Sequence, residues 1–184
     1  MEVEKYDWIA AVAAAAERDE PTVTRAGEAL PAPIEGVIVE RVQVHADNRG
    51  ALMPFMDIRK DFWQAPVLYA YCFTIRAGVI KGWGMHEHQT DRYFVPRGHV
   101  RIGLFDGRED SPTRGNVHEV HFTPETPGLV AIPPGVWHAD QNWGDADALL
   151  VNFPTRAYNP DDPDKHRIDP RAGVIPFDWN LRDG

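Results

Sequence analysis

From Gly36 to Phe153 the chain consists of short apolar runs, and Gly, Pro, Asp or Asn separates most of them from one another. The runs are VIVERVQV, VLYAYCFTI, RYFV, HVRIGLF, VHEVHF, LVAI and ALLVNF. Runs of this length between turn residues are typical of β-strands. Many short strands in succession favour a sandwich or a small barrel over alternating βαβ units. The sequence therefore predicts an all-β fold.

The first 35 residues have a different character. Alanine dominates Lys5–Arg18, and apolar side chains recur there at helical spacing. We expect this helix to end before Pro21, where a linker rich in Pro and Gly begins. The predicted organisation is a helical extension and linker over residues 1–35, followed by a barrel with a C-terminal wrapping tail over residues 36–184.

Length and charge limit the possible functions. The 184 residues are enough for one well-filled core. A formal net charge of −9 argues against nucleic acid and anionic membrane as main partners, since both are held by excess Lys and Arg. The single cysteine, Cys72, excludes an intrachain disulfide, and its apolar run predicts a buried thiol. No basic region precedes the N-terminal apolar run, so a cytoplasmic location is expected.

The stretch IPPGVWHADQN, residues 132–142, contains a turn followed by a strand. Gly135 permits the tight turn, and the strand then directs His138 toward the barrel mouth. Asn142 follows four residues after His138. This spacing of Gly, His and Asn resembles the second signature of the cupins. The resemblance implies a double-stranded β-helix, which is a jelly-roll barrel.

The stretch KGWGMHEHQTDRYFVPRG, residues 81–98, resembles the first cupin signature in its spacing. Counting back from Gly98 places the acidic position on Asp91 and the second histidine position on His86. The first histidine position falls on Gly84, which has no side chain to bind a ligand. His88 lies on the same strand face as His86, because alternate residues of a strand share a face.

The resemblance thus keeps three of the four usual ligand positions: His86, Asp91 and His138. Two histidines and one carboxylate can hold a divalent metal and leave positions open for a substrate. Two interpretations follow. One is a site for Fe, Zn, Mn or Ni that uses these residues, with His88 as a further ligand. The other is a polar cavity without a metal.

Further motifs narrow the resemblance. DNRG, AGVIKGWGMH, RGHVRIGLFDGREDSPTRG, IPPGVWH and AYNP…RIDP follow one another as in the nucleotide-sugar (dTDP-4-dehydrorhamnose) 3,5-epimerases, over about residues 38–170. The chain resembles a divergent branch of that family with a KGW…H…QTDR core. The resemblance implies an epimerase or isomerase that acts on a keto-sugar, usually nucleotide-linked, without a cofactor and as a homodimer. The open edges of such a barrel give a physical reason to pair.

The resemblance also implies catalytic roles. His86, at the end of GMH, would remove the proton beside the ketone, and Asp169 in the C-terminal Asp-Pro segment would orient it. Protons beside a ketone are weakly acidic, so a base of near-neutral pKa held by a carboxylate suits the reaction. The enolate that forms needs a hydrogen-bond donor or a cation beside it. The resemblance implies that His138 lies near that oxygen.

The residues expected to bind the substrate are Arg49, Lys81, Trp83, Tyr71 and Tyr158. Arg49 matches a family position that contacts phosphates, and its alternative role is to stabilise a turn by pairing with Asp47. Lys81 or Trp83 takes the place of a family arginine. Aromatic side chains at the mouth can stack on a sugar ring, although core packing is the alternative role of Trp83.

Two departures from the family pattern bear on the reaction. The lysine that stabilises the enolate falls on Asp91, where a carboxylate opposes an enolate unless it holds a metal. The tyrosine that returns the proton falls near Asn152, and an amide cannot do this. Single epimerisation, isomerisation or metal-assisted proton abstraction therefore suits the residues better than double epimerisation. A metal-dependent cupin oxygenase or isomerase and a non-catalytic sugar-binding cupin are the alternatives.

Overall fold

The computed structural model describes residues 7–16, 18, 21–27 and 33–181. The chain divides into two units, residues 1–31 and residues 32–184. In the first unit, helix α1 spans Asp7–Ala15, inside the segment in which the alanines predict a helix. Lys5, at the predicted start of that segment, lies outside the described residues.

The described part of the second unit contains twelve strands and one 3₁₀ turn at Asp61–Trp63. The strands are β1 (Ile38–Arg41), β2 (His45–Asp47), β3 (Gly50–Leu52), β4 (Tyr71–Ile75), β5 (Ile80–Met85), β6 (Asp91–Arg97), β7 (Val100–Asp106), β8 (Val117–Phe122), β9 (Gly128–Ile132), β10 (Val136–Asn142), β11 (Ala148–Asn152) and β12 (His166–Arg167).

Ten of these strands form two sheets. The first sheet has the order β1–β9–β6–β11–β4, and the second has the order β12–β5–β10–β7–β8. Strands β2 and β3 form a separate hairpin. The strand pairs described are antiparallel, and consecutive strands such as β9 and β10 lie in different sheets. This is a jelly roll, so the predicted all-β barrel fold is confirmed.

The core of the barrel follows the alternation of side chains along each strand. On β6, Tyr93 and Val95 are buried in one apolar cluster with residues of both sheets. Phe94 lies between them and belongs to a second cluster, where its ring stacks on Phe55 at 4.2 Å between centroids. Because both faces of β6 are covered, its central residues Tyr93, Phe94 and Val95 are aromatic or aliphatic without a polar residue between them.

The outer face of the second sheet is covered by the C-terminal tail. Trp83 of β5 is 1% exposed and packs against Phe177 and Trp179, with ring centroids 5.6 and 5.3 Å away. Ile175 completes the same cluster. This packing corrects the prediction that Trp83 contacts a substrate, because its indole is part of the core.

An irregularity in β5 explains the position of Trp83. Gly82 pairs with Ala139 of β10, whereas Gly84 pairs with His138, the residue directly before Ala139. Two steps along β5 therefore correspond to one step along β10. Trp83 is therefore an extra residue in a β-bulge, and a bulge interrupts the alternation of faces. Strict alternation would have placed Trp83 on the same face as Lys81.

Cys72 is exposed, which contradicts the predicted buried thiol. It lies on β4, which forms one edge of the first sheet. An edge strand has a neighbour on one side only, so an apolar run there can stay partly open to solvent.

Candidate active site

His86, Asp91 and His138 meet in a buried polar cluster. His86 directly follows β5, Asp91 begins β6, and His138 lies in β10. Nε2 of His86 and Nε2 of His138 each lie 3.4 Å from Oδ2 of Asp91. The three residues are 8%, 1% and 4% exposed, respectively. The two sequence motifs thus come together in space, with Asp91 from the first sheet and the two histidines from the second.

The turn before β10 supports this cluster. Gly135 has a φ of 80°, a left-handed conformation that residues with a Cβ rarely adopt. Its N–H donates a hydrogen bond of 2.8 Å to the carbonyl of His86. The turn therefore sets the direction of β10 and also anchors the backbone that carries His86.

Asp91 is surrounded by hydrogen-bond donors. Its Oδ1 accepts hydrogen bonds from Gln89 Nε2 and Asn152 Nδ2, both at 2.9 Å. Its Oδ2 accepts one from the Tyr93 hydroxyl at 3.2 Å. Asn152 also donates to the Tyr71 hydroxyl at 3.0 Å. The carboxylate thus has fixed neighbours on both oxygens, which orients it toward the two imidazoles.

This environment keeps Asp91 ionised. Burial alone would raise its pKa, but the hydrogen bonds and positive charge of His138 and His86 outweigh burial. The pKa of Asp91 therefore lies well below its usual range. A buried carboxylate held between two imidazoles fixes the orientation of both rings.

The other ring nitrogen of His86 is held by the C-terminal tail. Nδ1 of His86 is hydrogen-bonded to the carbonyl oxygen of Asp164. The Asp164 carboxylate in turn accepts hydrogen bonds from the N–H groups of Glu87, His88 and Gln89, at 2.7, 3.0 and 3.1 Å. Burial would raise the pKa of Asp164, but these N–H groups lower it. One tail residue thus fixes both the ring of His86 and the loop that follows it.

Two expectations are corrected at this point. Asp169 is exposed, and its carboxylate accepts a hydrogen bond from the Arg171 N–H at 2.9 Å. Asp164, earlier in the tail, and Asp91 are the residues that contact the His86 ring. His88 has an exposed side chain beyond the end of β5 and does not join the group in which His86, Asp91 and His138 meet.

Two cavities adjoin the cluster, with volumes of about 470 and 200 Å³. Tyr71, Lys165 and Arg167 line both of them. The larger cavity is also lined by His86, His88, Tyr69, Arg156 and Tyr158, and the smaller one by Lys81, Gly84, His138 and Asp140. Of the predicted site residues, His86, His88, Tyr71 and Tyr158 therefore line the larger cavity, and His138, Tyr71 and Lys81 line the smaller one.

Arg49 lies away from these cavities in the described chain. It is on the β2–β3 hairpin, its side chain is 84% exposed, and its Nε donates to Asp47 Oδ2 at 3.1 Å. The alternative role in the turn therefore accounts for its contacts within one chain. Lys81 reaches the smaller cavity, with Nζ 4.8 Å from the centre of the Phe73 ring.

Several charged residues of the site were not predicted from the sequence, among them Asp140, Asp164 and Lys165. Asp140 is buried in β10, its Oδ1 has no hydrogen-bond partner among the described residues, and burial raises its pKa to about 6. Its position two residues after His138 on the same strand predicts the same face. Asp164 and Lys165 belong to a charged, Pro-rich stretch in which local spacing gives no indication of a site.

Comparison with known proteins identifies the family. Residues 31–183 match the model of the dTDP-4-dehydrorhamnose 3,5-epimerase family. The chain belongs to this family. It is 35% identical over 148 residues to the "Probable low-salt glycan biosynthesis epimerase Agl13" of Haloferax volcanii, covering 80% of this chain and 95% of that protein. It is 36% identical over 151 residues to the "Spore coat polysaccharide biosynthesis protein SpsL" of Bacillus subtilis, covering 80% and 97%.

Solved structures of the 3,5-epimerase family agree with the fold. The dTDP sugar isomerase of Desulfovibrio desulfuricans superposes with a TM-score of 0.74 at 26% identity, over 82% of this chain and 94% of that one. The resemblance drawn from the motifs is therefore confirmed, and the cluster lies in a sugar-epimerase fold. No helix in the described part of this epimerase-family chain is long and apolar enough to cross a membrane.

Proposed function

We propose that this chain epimerises or isomerises a nucleotide-linked keto-sugar, with His86 as the base that removes the proton beside the ketone. The observation that carries the proposal is the position of His86. Its ring is buried against ionised Asp91, is held by the Asp164 carbonyl, and lines the larger cavity. A base must be fixed at the substrate and must have a partner that stabilises its protonated form.

The proposed step moves one proton and two electron pairs of the substrate. His86 takes the proton from the carbon next to the carbonyl, and the C–H electron pair forms a carbon–carbon double bond while the carbonyl electrons move to oxygen. Asp91 then stabilises the imidazolium, and the Asp164 carbonyl takes the orienting role that the resemblance implied for Asp169. His138 lines the smaller cavity and shares Asp91, so it is the proposed hydrogen-bond donor to the developing oxyanion.

The proposed substrate class rests on the chemistry of the cavities. Arg156 and Arg167 provide positive charge, which suits the phosphates of a nucleotide-linked sugar. Tyr69 and Tyr158 provide rings that can stack on a sugar or a base. A volume of about 470 Å³ is in the range of small-molecule sites. Tyr71 and Lys81 remain proposed substrate contacts because they line the cavities. Arg49 lines neither cavity, so the contacts within one chain do not support a role for it in substrate binding.

We further propose that one stereocentre is inverted, or that the sugar is isomerised, rather than two centres inverted. Asn152, near the place of the proton-returning tyrosine, has its side chain committed. Its amide group donates to Asp91 and Tyr71, and its carbonyl accepts from the Arg92 N–H at 3.1 Å. A side chain engaged in this way supports the site and has no acidic proton to return.

The direct test is deuterium uptake from heavy water into dTDP-4-keto-6-deoxyglucose, followed by proton NMR. We expect the wild-type protein to exchange a proton beside the ketone and the His86→Asn variant to lose at least a hundredfold in rate. His121→Asn is the matched control, because His121 is a surface residue of β8 that pairs with Glu119. Exchange at one carbon would support single epimerisation. Binding of dTDP without any exchange would support the non-catalytic sugar-binding alternative instead.

One observation favours a second candidate function, a metal-dependent cupin enzyme. Donor atoms of His86, Asp91 and His138 all lie within 4.8 Å of one another, and Nε2 of His86 has no hydrogen-bond partner among the described residues. Each Nδ1 faces a backbone carbonyl, so each Nε2 is the nitrogen available to a metal. The residues therefore fit a divalent ion such as Fe, Zn, Mn or Ni, which would polarise the ketone oxygen.

Elemental analysis separates the two candidates. Protein purified without added metal or a histidine tag is compared with the His86→Ala variant. About one metal ion per chain, lost in the variant, supports the metal-dependent function. Wild-type protein that exchanges deuterium at full rate in the presence of a chelator supports the cofactor-independent one.

We also propose that the protein is a homodimer. Ile38 and Val39 are exposed on β1, which is an edge strand of the first sheet, and Leu52 is exposed on the hairpin. Open edges with apolar residues are typical places for a second chain to pair. Sedimentation analysis tests this proposal.

The cytoplasmic location and the absence of nucleic-acid and membrane partners remain predictions from the composition, which cell fractionation would test.

A further inference from the structure

Position 84 of β5 brings together two functional groups because it has no side chain. Gly84 pairs with His138 of β10 on one side and with Arg167 of β12 on the other. A Cβ at Gly84 would lie 3.0 Å from Cε and 3.3 Å from Nζ of Lys165, and 3.8 Å from Nε2 of His138. The amine of Lys165 therefore occupies the space that a side chain at position 84 would fill, beside the His138 ring.

The backbone on both sides of Lys165 is fixed to the site. On one side, the carboxylate of Asp164 is bonded to the N–H groups of the loop after β5, and its carbonyl to the His86 ring. On the other side, His166 and Arg167 pair with Met85 and Gly84. Lys165 thus enters the site from the tail at a defined position, next to the residues that follow β5.

The amine of Lys165 is available to a ligand. The residue is exposed as a whole, while its amine end lies over buried Gly84 and lines both cavities. Among the residues that the structure describes, Lys165 donates no side-chain hydrogen bond and forms no ion pair within 4 Å. Burial lowers its pKa, and the nearby carboxylates of Asp91 and Asp140 oppose that effect. A positive group held near a cavity without a bonded acceptor is suited to an oxyanion.

We propose that Lys165 is a further catalytic residue, whose ammonium group stabilises the oxyanion of the enolate formed by His86. This inference rests on the proposed epimerase function. When His86 removes the proton, the carbonyl electrons move to oxygen, and an N–H of Lys165 donates a hydrogen bond to that oxygen. When the carbon regains a proton from solvent water, the electrons return to the carbonyl, His86 releases its proton to solvent, and Lys165 keeps its proton throughout. Among the described lysines, Lys165 is the one that lines both cavities.

The test compares Lys165→Met with Lys60→Met. Lys60 is a surface lysine that pairs with Glu40 and lines neither cavity, so its variant controls for loss of a positive charge. The readouts are the rate of deuterium exchange at saturating dTDP-4-keto-6-deoxyglucose and the Kd for dTDP alone. We expect Lys165→Met to lower the rate roughly 10²- to 10³-fold. We expect the Kd for dTDP to change less than threefold, because stabilisation of the enolate does not contribute to ground-state binding.

A rescue experiment separates catalysis from folding. In a Cys72→Ser background, Lys165→Cys is alkylated with 2-bromoethylamine, which restores an amine at nearly the original length. Recovery of at least tenfold in rate supports the catalytic role.

Three results contradict the catalytic role of Lys165: an exchange rate within threefold of wild type in Lys165→Met, a rise in the Kd for dTDP without a change in rate, or no rescue by the restored amine. If wild-type protein and Lys165→Met both catalyse deuterium exchange at similar rates, the proposed function stands and only the catalytic role of Lys165 is rejected. If wild-type protein catalyses no deuterium exchange into any keto-sugar nucleotide, the proposed function and the role of Lys165 are both rejected.

Discussion

The carboxylate of Asp91 lies 3.4 Å from Nε2 of His86, although the two residues come from different sheets. The contact forms because β6 begins in the first sheet at the same end of the barrel at which β5 of the second sheet stops. His138 reaches the same carboxylate from β10, so Asp91 couples the two imidazoles. A base and an oxyanion donor that share one carboxylate are fixed relative to each other before a substrate binds.

Replacing Asp91 tests this coupling. Asp91→Asn keeps the shape of the side chain but removes the charge that stabilises the imidazolium of His86. We expect the rate of deuterium exchange to fall on the order of a hundredfold or more, because general-base catalysis depends on that stabilisation. The measurement is exchange at saturating substrate, with circular dichroism to confirm the fold. A rate close to that of wild type would mean that Asp91 does not assist the base.

The anchor formed by Asp164 gives a second prediction. Asp164→Asn weakens the hydrogen bonds to the N–H groups of Glu87, His88 and Gln89, and bonds to charged groups typically contribute about 1.5–3 kcal/mol. We expect faster amide hydrogen exchange at these three residues and about a tenfold loss in catalytic rate. Asp161→Asn, on an exposed residue of the same tail, should change neither. Unchanged protection of the loop would contradict the anchoring role.

The motifs predicted three residues that lie together in the structure, because the spacing that identifies them is local. His86, Asp91 and His138 lie at or near strand ends whose positions follow from turn residues such as Gly98 and Gly135. The orienting residue could not be found in the same way. Asp164 and Asp169 lie in a tail rich in Pro and Asp, where regular periodicity is absent and long-range contacts decide which carboxylate reaches the site.

Trp83 shows a different limit of prediction from sequence. The alternation rule assumes that every residue of a strand is paired in register, and a bulge at Gly82–Gly84 breaks that assumption. Lys165 shows a third limit. Its role depends on the empty space at Gly84, and a glycine in a motif gives no indication of which distant side chain fills its place.

The packing of Trp83 gives a third prediction. Trp83→Ala removes a buried indole from contact with Phe177 and Trp179, and large-to-small substitutions of this kind cost about 3–5 kcal/mol. We expect a loss of that size in the free energy of unfolding, measured with urea, and a change of less than threefold in the Kd for dTDP. Trp143→Ala, at a partly exposed tryptophan, should cost much less. A large loss of dTDP affinity in folded Trp83→Ala would restore the substrate-binding role.

A buried ion pair at the end of β7 gives a prediction of pH dependence. Asp106 is fully buried and accepts hydrogen bonds from Arg108 Nε at 2.8 Å, Ser111 Oγ at 2.5 Å and Thr113 Oγ1 at 2.6 Å. Burial would raise the pKa of Asp106, but these donors outweigh it and lower the pKa below the model-compound value of 3.8. A carboxyl group with a lowered pKa in the folded state stabilises the protein above pH 3.8, and that contribution is lost as the pH falls below this value.

Asp106→Asn should therefore lower the free energy of unfolding by roughly 3 kcal/mol at pH 7, because it leaves the buried part of the Arg108 guanidinium without its carboxylate partner. The difference from wild type should shrink as the pH falls below about 4, because the Asp106 carboxyl takes up a proton in the unfolded chain at a higher pH than in the folded protein. Urea unfolding at pH 7 and pH 3 measures both quantities. Asp57→Asn is the matched control, since Asp57 pairs with Arg59 at the surface, where such pairs contribute little. A difference between Asp106→Asn and wild type that stays constant from pH 7 to pH 3 would show that the charge of Asp106 is not the source of its contribution.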